Sequence, residues 1–389
     1  MVRSVVRFPY SFAPRLRRAQ FAAPAVVGAL AALALAALAL AAPSAAAAVP
    51  AVATPKVIAT IRLPEIPSAA AVSPRTGTVY IASNLLAKGA IEVVNGTTHK
   101  VATTIADADM PTAIAVSPQS GDVYVVNQGF TVNGSVHPSG VWVVNWRTSK
   151  VTTSIPVPQG DLPLSVAVSP ATGDVYVAVT GDNPEAGGVL VISGKTNKVA
   201  AVIKDGDSPD EIAVSPRTGD VYVVNWGTGP NPGRGDSVSV ISGKTNKIIA
   251  TIADPHAPRG VAVSPVTGDV WVINEDYVTE SGGVPYPGSV EVLNGRTNKI
   301  INDIADPNNP DAIAVSPRTG DVYIGDQGIY NDFSPDVQVL SGRNLHVIAI
   351  LADIADPSIP GSVAVSPKTG DAYVTNGYLN NQSVWVLSD

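Results

Sequence analysis

Aromatic residues that could stack on a ligand lie in the irregular stretches of this 389-residue chain. An aromatic ring offers an apolar face, and in Tyr and Trp a polar edge, to a sugar, a peptide or a base. The alternative is that these rings pack against their own long loops. Seven residues are the candidate ligand-binding residues: Phe130, Trp226, Tyr277, Tyr286, Tyr330, Phe333 and Tyr378.

Aspartates form a second chemical group in the same stretches and in the links that join them to the repeats. Carboxylate oxygens could hold Ca²⁺, but the spacing matches no calcium-binding loop, and Asp followed by Pro forms turns without a ligand. We therefore expect turn residues, with no metal site and no cofactor. The aspartates are Asp107, Asp109, Asp161, Asp205, Asp207, Asp210, Asp254, Asp306, Asp326 and Asp356.

Catalytic groupings are sparse. The four histidines are His99, His137, His256 and His346, and the strand order given below places only two of them on each face, which excludes a cluster of three for copper or zinc. No Gly-x-Ser-x-Gly elbow or phosphate-binding loop occurs. The chain has no cysteine, which excludes disulfides and thiolate metal sites. We assign no catalytic residue.

The elements that must position these residues are copies of one segment, best represented by residues 213–225. The copies recur every 44 to 52 residues, a period typical of propeller blades. Every copy contains a proline in the same place, Pro216 in this one. A glycine follows it by three residues and an aromatic residue by six, and a second proline precedes it by seven, as in Gly219, Tyr222 and Pro209. The shared prolines are Pro74, Pro118, Pro170, Pro216, Pro265, Pro317 and Pro367.

Each repeat predicts four short strands, exemplified by residues 212–215, 221–225, 237–242 and 248–252. The first ends at Ser-Pro, and the following glycine can adopt the left-handed conformation that a tight hairpin needs. The second is rich in β-branched and aromatic residues, and the third alternates polar and apolar residues. A second tight turn, Gly243-Lys-Thr-Asn-Lys247, leads to the fourth strand.

The two ends of the repeat region predict a closed ring. Residues 384–389 supply a third strand with no fourth, whereas residues 54–61 supply a turn and fourth strand without the first three. Together they complete one blade. We therefore predict an all-β, seven-bladed β-propeller of four-stranded antiparallel blades, in which the N-terminal strand completes the C-terminal blade and no ring edge stays open.

The segment Tyr373-Val374-Thr375-Asn376 and its variants at 222–225 and 124–127 resemble the YVTN (YncE-like) β-propeller repeat family over residues 54–389. The resemblance implies the propeller fold. Similar propellers include exported bacterial and surface-layer proteins and a nucleic-acid-binding relative, and because the signature residues build strands and turns it implies no single function. Val179, Ser83 and Asp326 replace the second-strand asparagine in three copies.

The first 48 residues are predicted to be a secretory signal peptide, followed by the propeller over residues 49–389. Five arginines and no acidic residue precede an Ala/Leu-rich run, and Ala46 and Ala48 fit a cleavage site before Val49. The alternative is an uncleaved membrane anchor. We expect an extracytoplasmic protein, secreted or associated with the cell envelope, with no membrane span after cleavage.

Removal of that segment makes the protein strongly acidic. The whole chain has 25 basic and 32 acidic residues, net −7, and residues 49–389 retain 20 basic and 32 acidic residues, net −12. This balance disfavours binding to the phosphate backbone of nucleic acids, which depends on Lys and Arg.

The strand order predicts two unlike faces. The turns after the first and third strands lie at one end of each blade, the turn face, and are nearly repetitive. The loops after the second strand and the links between blades lie at the other end, the loop face. The loop face carries all seven candidate aromatic residues and the irregular segments, where function is usually found: 127–140, 181–188, 226–236, 275–288 and 326–336.

Two classes of function fit this pattern. The favoured one is an exported, monomeric, non-enzymatic binding or scaffold module that contacts a protein, glycan or cell-envelope partner through the loop face. The alternative is a propeller enzyme of the lactonase or quinone-cofactor kind with its site at the axial mouth. An alanine repeated on every innermost strand favours packing over chemistry there: Ala71, Ala115, Ala167, Ala213, Ala262, Ala314 and Ala364.

Overall fold

The fold is seen in a computed structural model of the chain, which describes thirteen segments. These are residues 54–85, 88–132, 135–158, 161–181, 187–205, 208–226, 236–254, 256–275, 288–306, 308–328, 335–351, 360–377 and 382–388. They form strands and turns, and within them no helix is long and apolar enough to cross a membrane. Val52–Asp389 forms one compact unit; the predicted boundary at residue 49 lies outside the described segments.

The described strands follow the repeats in chain order. They are β1 (Val57–Arg62), β2 (Ile66–Val72), β3 (Val79–Leu85), β4 (Lys88–Asn95), β5 (Lys100–Ala108), β6 (Pro111–Val116), β7 (Val123–Asn127), β8 (Phe130–Val132), β9 (Ser135–His137), β10 (Gly140–Asn145), β11 (Lys150–Pro156), β12 (Asp161–Val168), β13 (Val175–Gly181), β14 (Gly187–Ser193), β15 (Lys198–Ile203), β16 (Pro209–Val214), β17 (Val221–Trp226), β18 (Asp236–Ser242), β19 (Lys247–Ala253), β20 (Pro258–Val263), β21 (Val270–Asn274), β22 (Ser289–Asn294), β23 (Lys299–Ala305), β24 (Pro310–Val315), β25 (Val322–Asp326), β26 (Asp336–Leu340), β27 (Val347–Leu351), β28 (Pro360–Val365), β29 (Ala372–Asn376) and β30 (Ser383–Leu387).

Seven four-stranded antiparallel sheets confirm the predicted seven-bladed propeller. The innermost strands of successive blades contact one another in a closed cycle. That cycle runs β2, β6, β12, β16, β20, β24, β28 and back to β2, and the blades that begin with these strands are numbered 1 to 7 in this order. A short hairpin of β8 and β9 is added within the loop of blade 2.

Ring closure occurs as the sequence predicts. The last blade has the strand order β1-β30-β29-β28, and β1 pairs antiparallel with β30 from Val57↔Leu387 to Arg62↔Ser383. The N–H of Ser388 also donates to the carbonyl oxygen of Lys56 at 2.9 Å. The N-terminal strand therefore covers an edge that would otherwise be open.

The turn face is built by two left-handed residues in each of blades 1 to 6 and by Gly370 alone among the described residues of blade 7. In blade 4, Gly219 has φ +79° and donates its N–H to the carbonyl oxygen of Ser215 at 2.9 Å. The second turn uses Asn246, with φ 53°, whose N–H donates to the carbonyl oxygen of Ser242 at 2.8 Å. Gly and Asn are the residues that tolerate this backbone region best.

The repeated aromatic residue of the second strand joins neighbouring blades. Tyr222 is fully buried, and its hydroxyl donates across the blade interface to the carbonyl oxygen of Gly295 at 3.2 Å. Tyr124 reaches Asn197 in the same way, at 2.9 Å. The seven repeated alanines lie in or against the hydrophobic clusters between blades, which confirms packing as their role.

The innermost strands begin earlier than the sequence pattern indicates. β16 starts at Pro209 rather than near Ile212, and its pairing with β17 shifts between Pro209 and Glu211. The shift is a β-bulge, which leaves Asp210 without a partner residue opposite and re-aims its side chain. All seven innermost strands have the same irregularity after their first proline.

Candidate binding site at the axial mouth

A cavity of about 360 Å³ lies on the propeller axis, because all seven innermost strands contribute to its wall. The residue that bulges in each strand lines it, and these strands begin at the loop face. The cavity is therefore the loop-face mouth of the axial channel, which we call the axial mouth. Its seven bulged residues are Ser68, Thr112, Leu164, Asp210, Arg259, Asp311 and Gly361.

The charges of the axial mouth are concentrated on blades 4 to 6. Arg259 Nη1 lies 3.0 Å from Asp210 Oδ2, and Arg259 Nε lies 3.7 Å from Asp311 Oδ1. These three side chains are between 19% and 32% exposed, so they remain accessible from the channel. Apart from Glu211, the other lining residues are neutral and include serines such as Ser165 and Ser362.

Glu211 adds an acid to the same wall. Its position is occupied by Ala or Ser in most blades, and the neighbouring strand has Gly260, where an added Cβ would come within 3.1 Å of Glu211 Oε2. The same Cβ would lie 2.8 Å from two side-chain atoms of Ile273, so Gly260 leaves space for both the Ile273 side chain and the Glu211 carboxyl group. Desolvation by the surrounding protein, followed by the charges of Asp210 and Asp311, raises the pKa of Glu211 to about 8.

Trp226 lies at the edge of this charged group. Its side chain is 46% exposed at the end of β17, and the Arg259 guanidinium carbon lies 5.0 Å from the centroid of its ring. This distance is within the range of a cation–π contact. Arg259 therefore contacts the exposed indole of Trp226 and also lines the axial mouth.

The other six candidate aromatic residues have no described side chains. Tyr277, Tyr286, Tyr330, Phe333 and Tyr378 lie outside the described segments. Phe130 begins β8, opposite His137, but its side chain is outside the described part of the structure. Their predicted role in ligand binding stays a prediction.

The predicted aspartates separate into several environments. Asp210 lines the axial mouth, and Asp109 Oδ1 lies 2.9 Å from His137 Nδ1. Asp306 and Asp326 accept hydrogen bonds from Gln338 Nε2, both at 3.0 Å. Burial, with the nearby charge of Asp306, strongly raises the pKa of Asp326, which shares a hydrogen bond with Asp336. Asp107, Asp207 and Asp356 have no described side chains.

Asp254 lies in a mixed cluster on the loop face. Asp254, His256 and Glu291 each offer one potential ligand atom, and these atoms lie within 4.8 Å of one another. Burial, followed by the charge of Glu291, raises the pKa of Asp254 to about 7. Burial also raises the pKa of Glu291.

Sequence reasoning named Asp210 among the loop-face aspartates but missed Arg259, Glu211 and Asp311, because it placed the strand start too late. The signal was present: the residue after the first proline varies from blade to blade, as in Asp210, Arg259 and Gly361, within an otherwise repetitive strand. The cluster of Asp254, His256 and Glu291 was not predicted as a group, since 37 residues separate Asp254 from Glu291 and the two lie in neighbouring blades.

Comparison with known proteins supports the fold alone. No model of a known protein family and no curated protein sequence matches this chain. Among solved structures, a chain of Kuenenia stuttgartiensis hydrazine synthase matches with a TM-score of 0.64 and 20% sequence identity, covering 83% of this chain and 96% of that chain. At this identity the likeness establishes a shared architecture and carries no activity with it.

Proposed function

We propose that this protein is a non-enzymatic binding module that accepts a polar group of a glycan or protein partner at the axial mouth. The observation that carries the proposal is the exposed Trp226 ring against Arg259, which itself lines the axial cavity. A stacking surface beside hydrogen-bonding charged groups in a preformed concave site is typical of small-ligand recognition.

The wall chemistry favours a ligand group that donates hydrogen bonds or carries positive charge. Arg259 has four acidic side chains near enough to affect its ionisation, those of Asp210, Glu275, Asp311 and Glu211. With Glu211 protonated near neutral pH, the carboxyl groups of Asp210, Glu275 and Asp311 still offer acceptor oxygens in excess of this one cation. Hydroxyl groups of a sugar or an amine of a peptide would satisfy them, whereas a phosphate or carboxylate would be repelled.

Membership of the YVTN (YncE-like) family and export are parts of the same proposal. The repeated Tyr-Val-x-Asn segments support the family, and the arginine-rich start followed by an apolar run supports a signal peptide removed before Val49. Amino-terminal sequencing of material recovered outside the cytoplasm should begin near residue 49. Recovery only in membranes, with the apolar run intact, would replace the signal with an anchor.

The binding proposal is tested by a screen with a control in the same blade. Tag-free protein starting at residue 49 would be screened against a glycan array, a peptide library and single-stranded DNA, alongside Trp226→Ala and Lys244→Ala. Lys244 is exposed in the blade 4 turn, on the opposite face. Glycan or peptide hits should weaken roughly fivefold or more in Trp226→Ala, since a stacked ring contributes ~1–3 kcal/mol, and should be unchanged in Lys244→Ala.

The opposite results have clear meanings. Hits that weaken in Lys244→Ala and not in Trp226→Ala would place binding on the turn face and overturn the proposal. Preferential binding of single-stranded DNA would contradict the expected ligand chemistry. The melting temperature of Trp226→Ala should stay close to that of the parent, because Arg259 keeps its partner Asp210.

Glu211 favours one second candidate, a propeller enzyme with its site at the axial mouth, of the lactonase or quinone-cofactor kind. A carboxylic acid that keeps its proton near neutral pH beside an arginine could act as a general acid. Lactone hydrolysis and bound quinone would be measured in the purified protein. Turnover that is lost in Glu211→Gln would establish the enzyme, and absence of both turnover and quinone would leave the binding module.

A further inference from the structure

A cluster of one imidazole and two carboxyl groups lies on the loop face where blades 4 and 5 meet. Asp254 follows β19, the last strand of blade 4, His256 lies in the link to blade 5, and Glu291 is on β22 of blade 5. His256 Nδ1 lies 3.1 Å from Glu291 Oε1 and 3.6 Å from Asp254 Oδ1. The three residues therefore converge on one point.

The buried carboxyl group of Asp254 lacks part of its solvation. Its side chain is 1% exposed, and its Oδ2 atom has no hydrogen-bond partner among the residues that the structure describes. Its Oδ1 atom accepts the backbone N–H of His256 at 3.2 Å, which fixes the carboxyl group in the link. A buried oxygen without a donor is costly, so a ligand that supplies positive charge here would be stabilising.

We propose that Asp254, His256 and Glu291 bind one divalent transition-metal ion, such as Zn²⁺ or Mn²⁺. The cation would be held by a carboxylate oxygen of each acid and by Nδ1 of the imidazole. Two ligand atoms bound to one Zn²⁺ at about 2.0–2.2 Å lie within ~4.4 Å of each other. The observed separations therefore require only small side-chain movements.

The type of ligand atom selects the class of metal. Imidazole together with carboxylate oxygens suits zinc, manganese, iron or nickel, whereas calcium and magnesium prefer oxygen ligands alone. The side chain of His256 is 36% exposed, while those of Asp254 and Glu291 are at most 4% exposed. The site is thus closed on the carboxylate side and open to solvent on the imidazole side, where water can complete the coordination.

Blade 6 shows how the same positions are satisfied without a cation. There the corresponding residues are Asp306, Asn308 and Gln338, and Gln338 Nε2 donates to Asp306 Oδ1 at 3.0 Å. A neutral amide thus takes the place of Glu291 and donates a hydrogen bond to the link aspartate. In blade 1 the corresponding residues are Leu63, Glu65 and Glu92. Among these three blades, only blade 5 combines the link aspartate with an imidazole and a second carboxyl group.

The test is metal binding to tag-free protein starting at residue 49, stripped with a chelator and titrated by calorimetry with Zn²⁺, Mn²⁺ and Mg²⁺. We expect one equivalent of Zn²⁺ or Mn²⁺ to bind with micromolar or better affinity and to raise the melting temperature, with Mg²⁺ at least tenfold weaker. This inference does not rest on the proposed function, because no partner is needed for the readout.

The variants take their design from blade 6. His256→Asn with Glu291→Gln reproduces the blade 6 residues and should reduce affinity at least 100-fold. The matched control, Asp306→Asn, changes the link aspartate of the next blade and should leave both affinity and stoichiometry unchanged. Circular dichroism would show whether each variant is folded.

A readout on the unmodified protein keeps the test independent of variant folding. One equivalent of Co²⁺ should give visible absorption bands of a four- or five-coordinate site with nitrogen and oxygen ligands, and Zn²⁺ should abolish them. No Zn²⁺ or Mn²⁺ binding below 1 mM, which lies far above the micromolar range of a specific site, would overturn the proposal. Equal binding in the His256→Asn, Glu291→Gln variant would do the same.

Discussion

Glu211 shows how a repeated fold creates one unusual residue. Six blades place Ala, Ser or Gly at this position, and only blade 4 carries an ionisable side chain, accommodated by Gly260 of the next blade. Because the channel wall removes most of the water around the carboxyl group, the protonated form is favoured. A repeat can therefore acquire a titratable group at its axis through one substitution and one compensating glycine.

The cause of the Glu211 shift is testable by carbon NMR of labelled glutamate side chains. The pKa of Glu211 should be about 8, and Asp311→Asn should lower it by removing one negative charge. It should remain well above the ordinary ~4.3, because desolvation is the larger cause. A pKa near the ordinary value in the unmodified protein would remove Glu211 as a candidate acid.

Asp326 offers a stability prediction at the residue scale. Asp326 occupies the second-strand position where blades 4, 5 and 7 have Asn paired with Ser on the third strand, as in Asn225 and Ser237. In blade 6 the pair is Asp326 and Asp336. In the folded protein Asp326 keeps its proton, while in the unfolded chain it ionises near pH ~3.9. Folding therefore takes up a proton above that pH, and the contribution of Asp326 to stability falls as the pH rises.

Asp326→Asn should remove this loss of folding stability at high pH. The amide cannot ionise and can donate to Asp336, so the variant should gain free energy of unfolding relative to the parent, and the gain should be larger at pH 8 than at pH 5. Urea unfolding at both pH values measures it. A variant that is less stable than the parent at pH 8, or a difference that does not change with pH, would show that Asp326 is ionised in the folded protein.

At the scale of elements, the two turns of blades 1, 3, 4, 5 and 6 touch through glycines. An added Cβ at Gly243 would lie 2.1 Å from the carbonyl oxygen of Gly219, whereas one at Gly219 would meet no atom within 4 Å. Gly219 is needed for its positive φ, and Gly243 for the close approach of the turns. The same backbone contact recurs in blade 5, between Gly295 and Gly268.

Alanine substitutions should separate these two requirements. Gly219→Ala should cost about 1 kcal/mol, the strain of a left-handed alanine. Gly243→Ala should cost more, roughly 2–3 kcal/mol, because backbone atoms must move apart. Thermal and urea unfolding measure both. Equal or reversed costs would mean that the turns separate easily and do not hold the blade together.

The strands were largely predictable because the same sequence pattern occurs in every repeat. The strand order within a blade follows from the turn residue Gly219 and the aromatic strand around Tyr222. The closure of the ring follows from the incomplete repeats at the two ends of the chain. The repeat pattern did not predict the bulge after Pro209. Proline usually marks the end of a strand, and the bulge that tolerates it depends on pairing with the neighbouring strand. The axial positions of Asp210, Arg259 and Asp311 follow from that bulge, so they were missed with it.

At the scale of the whole molecule, stability depends on closing the ring. Starting the chain at Leu63 removes β1 and exposes the edge of β30, so the melting temperature should fall by far more than for a chain starting at Lys56, which keeps β1. The shorter protein should also associate through the exposed edge. Melting within about 2 °C of the longer one would show that the blades are stable without closure, since 1 kcal/mol shifts the melting temperature of a large domain by ~2–4 °C.

Whole-molecule function rests on the two faces being different. The turn face repeats one arrangement, while the loop face joins the axial mouth, the exposed Trp226 and the cluster at Asp254. The central claim is that a partner binds at the axial mouth. Hydrogen–deuterium exchange of the protein with its strongest glycan or peptide hit tests this most directly. We predict protection of residues 209–212 and 257–261, with no change in the turns at 215–220 and 242–247; protection confined to those turns would contradict the account.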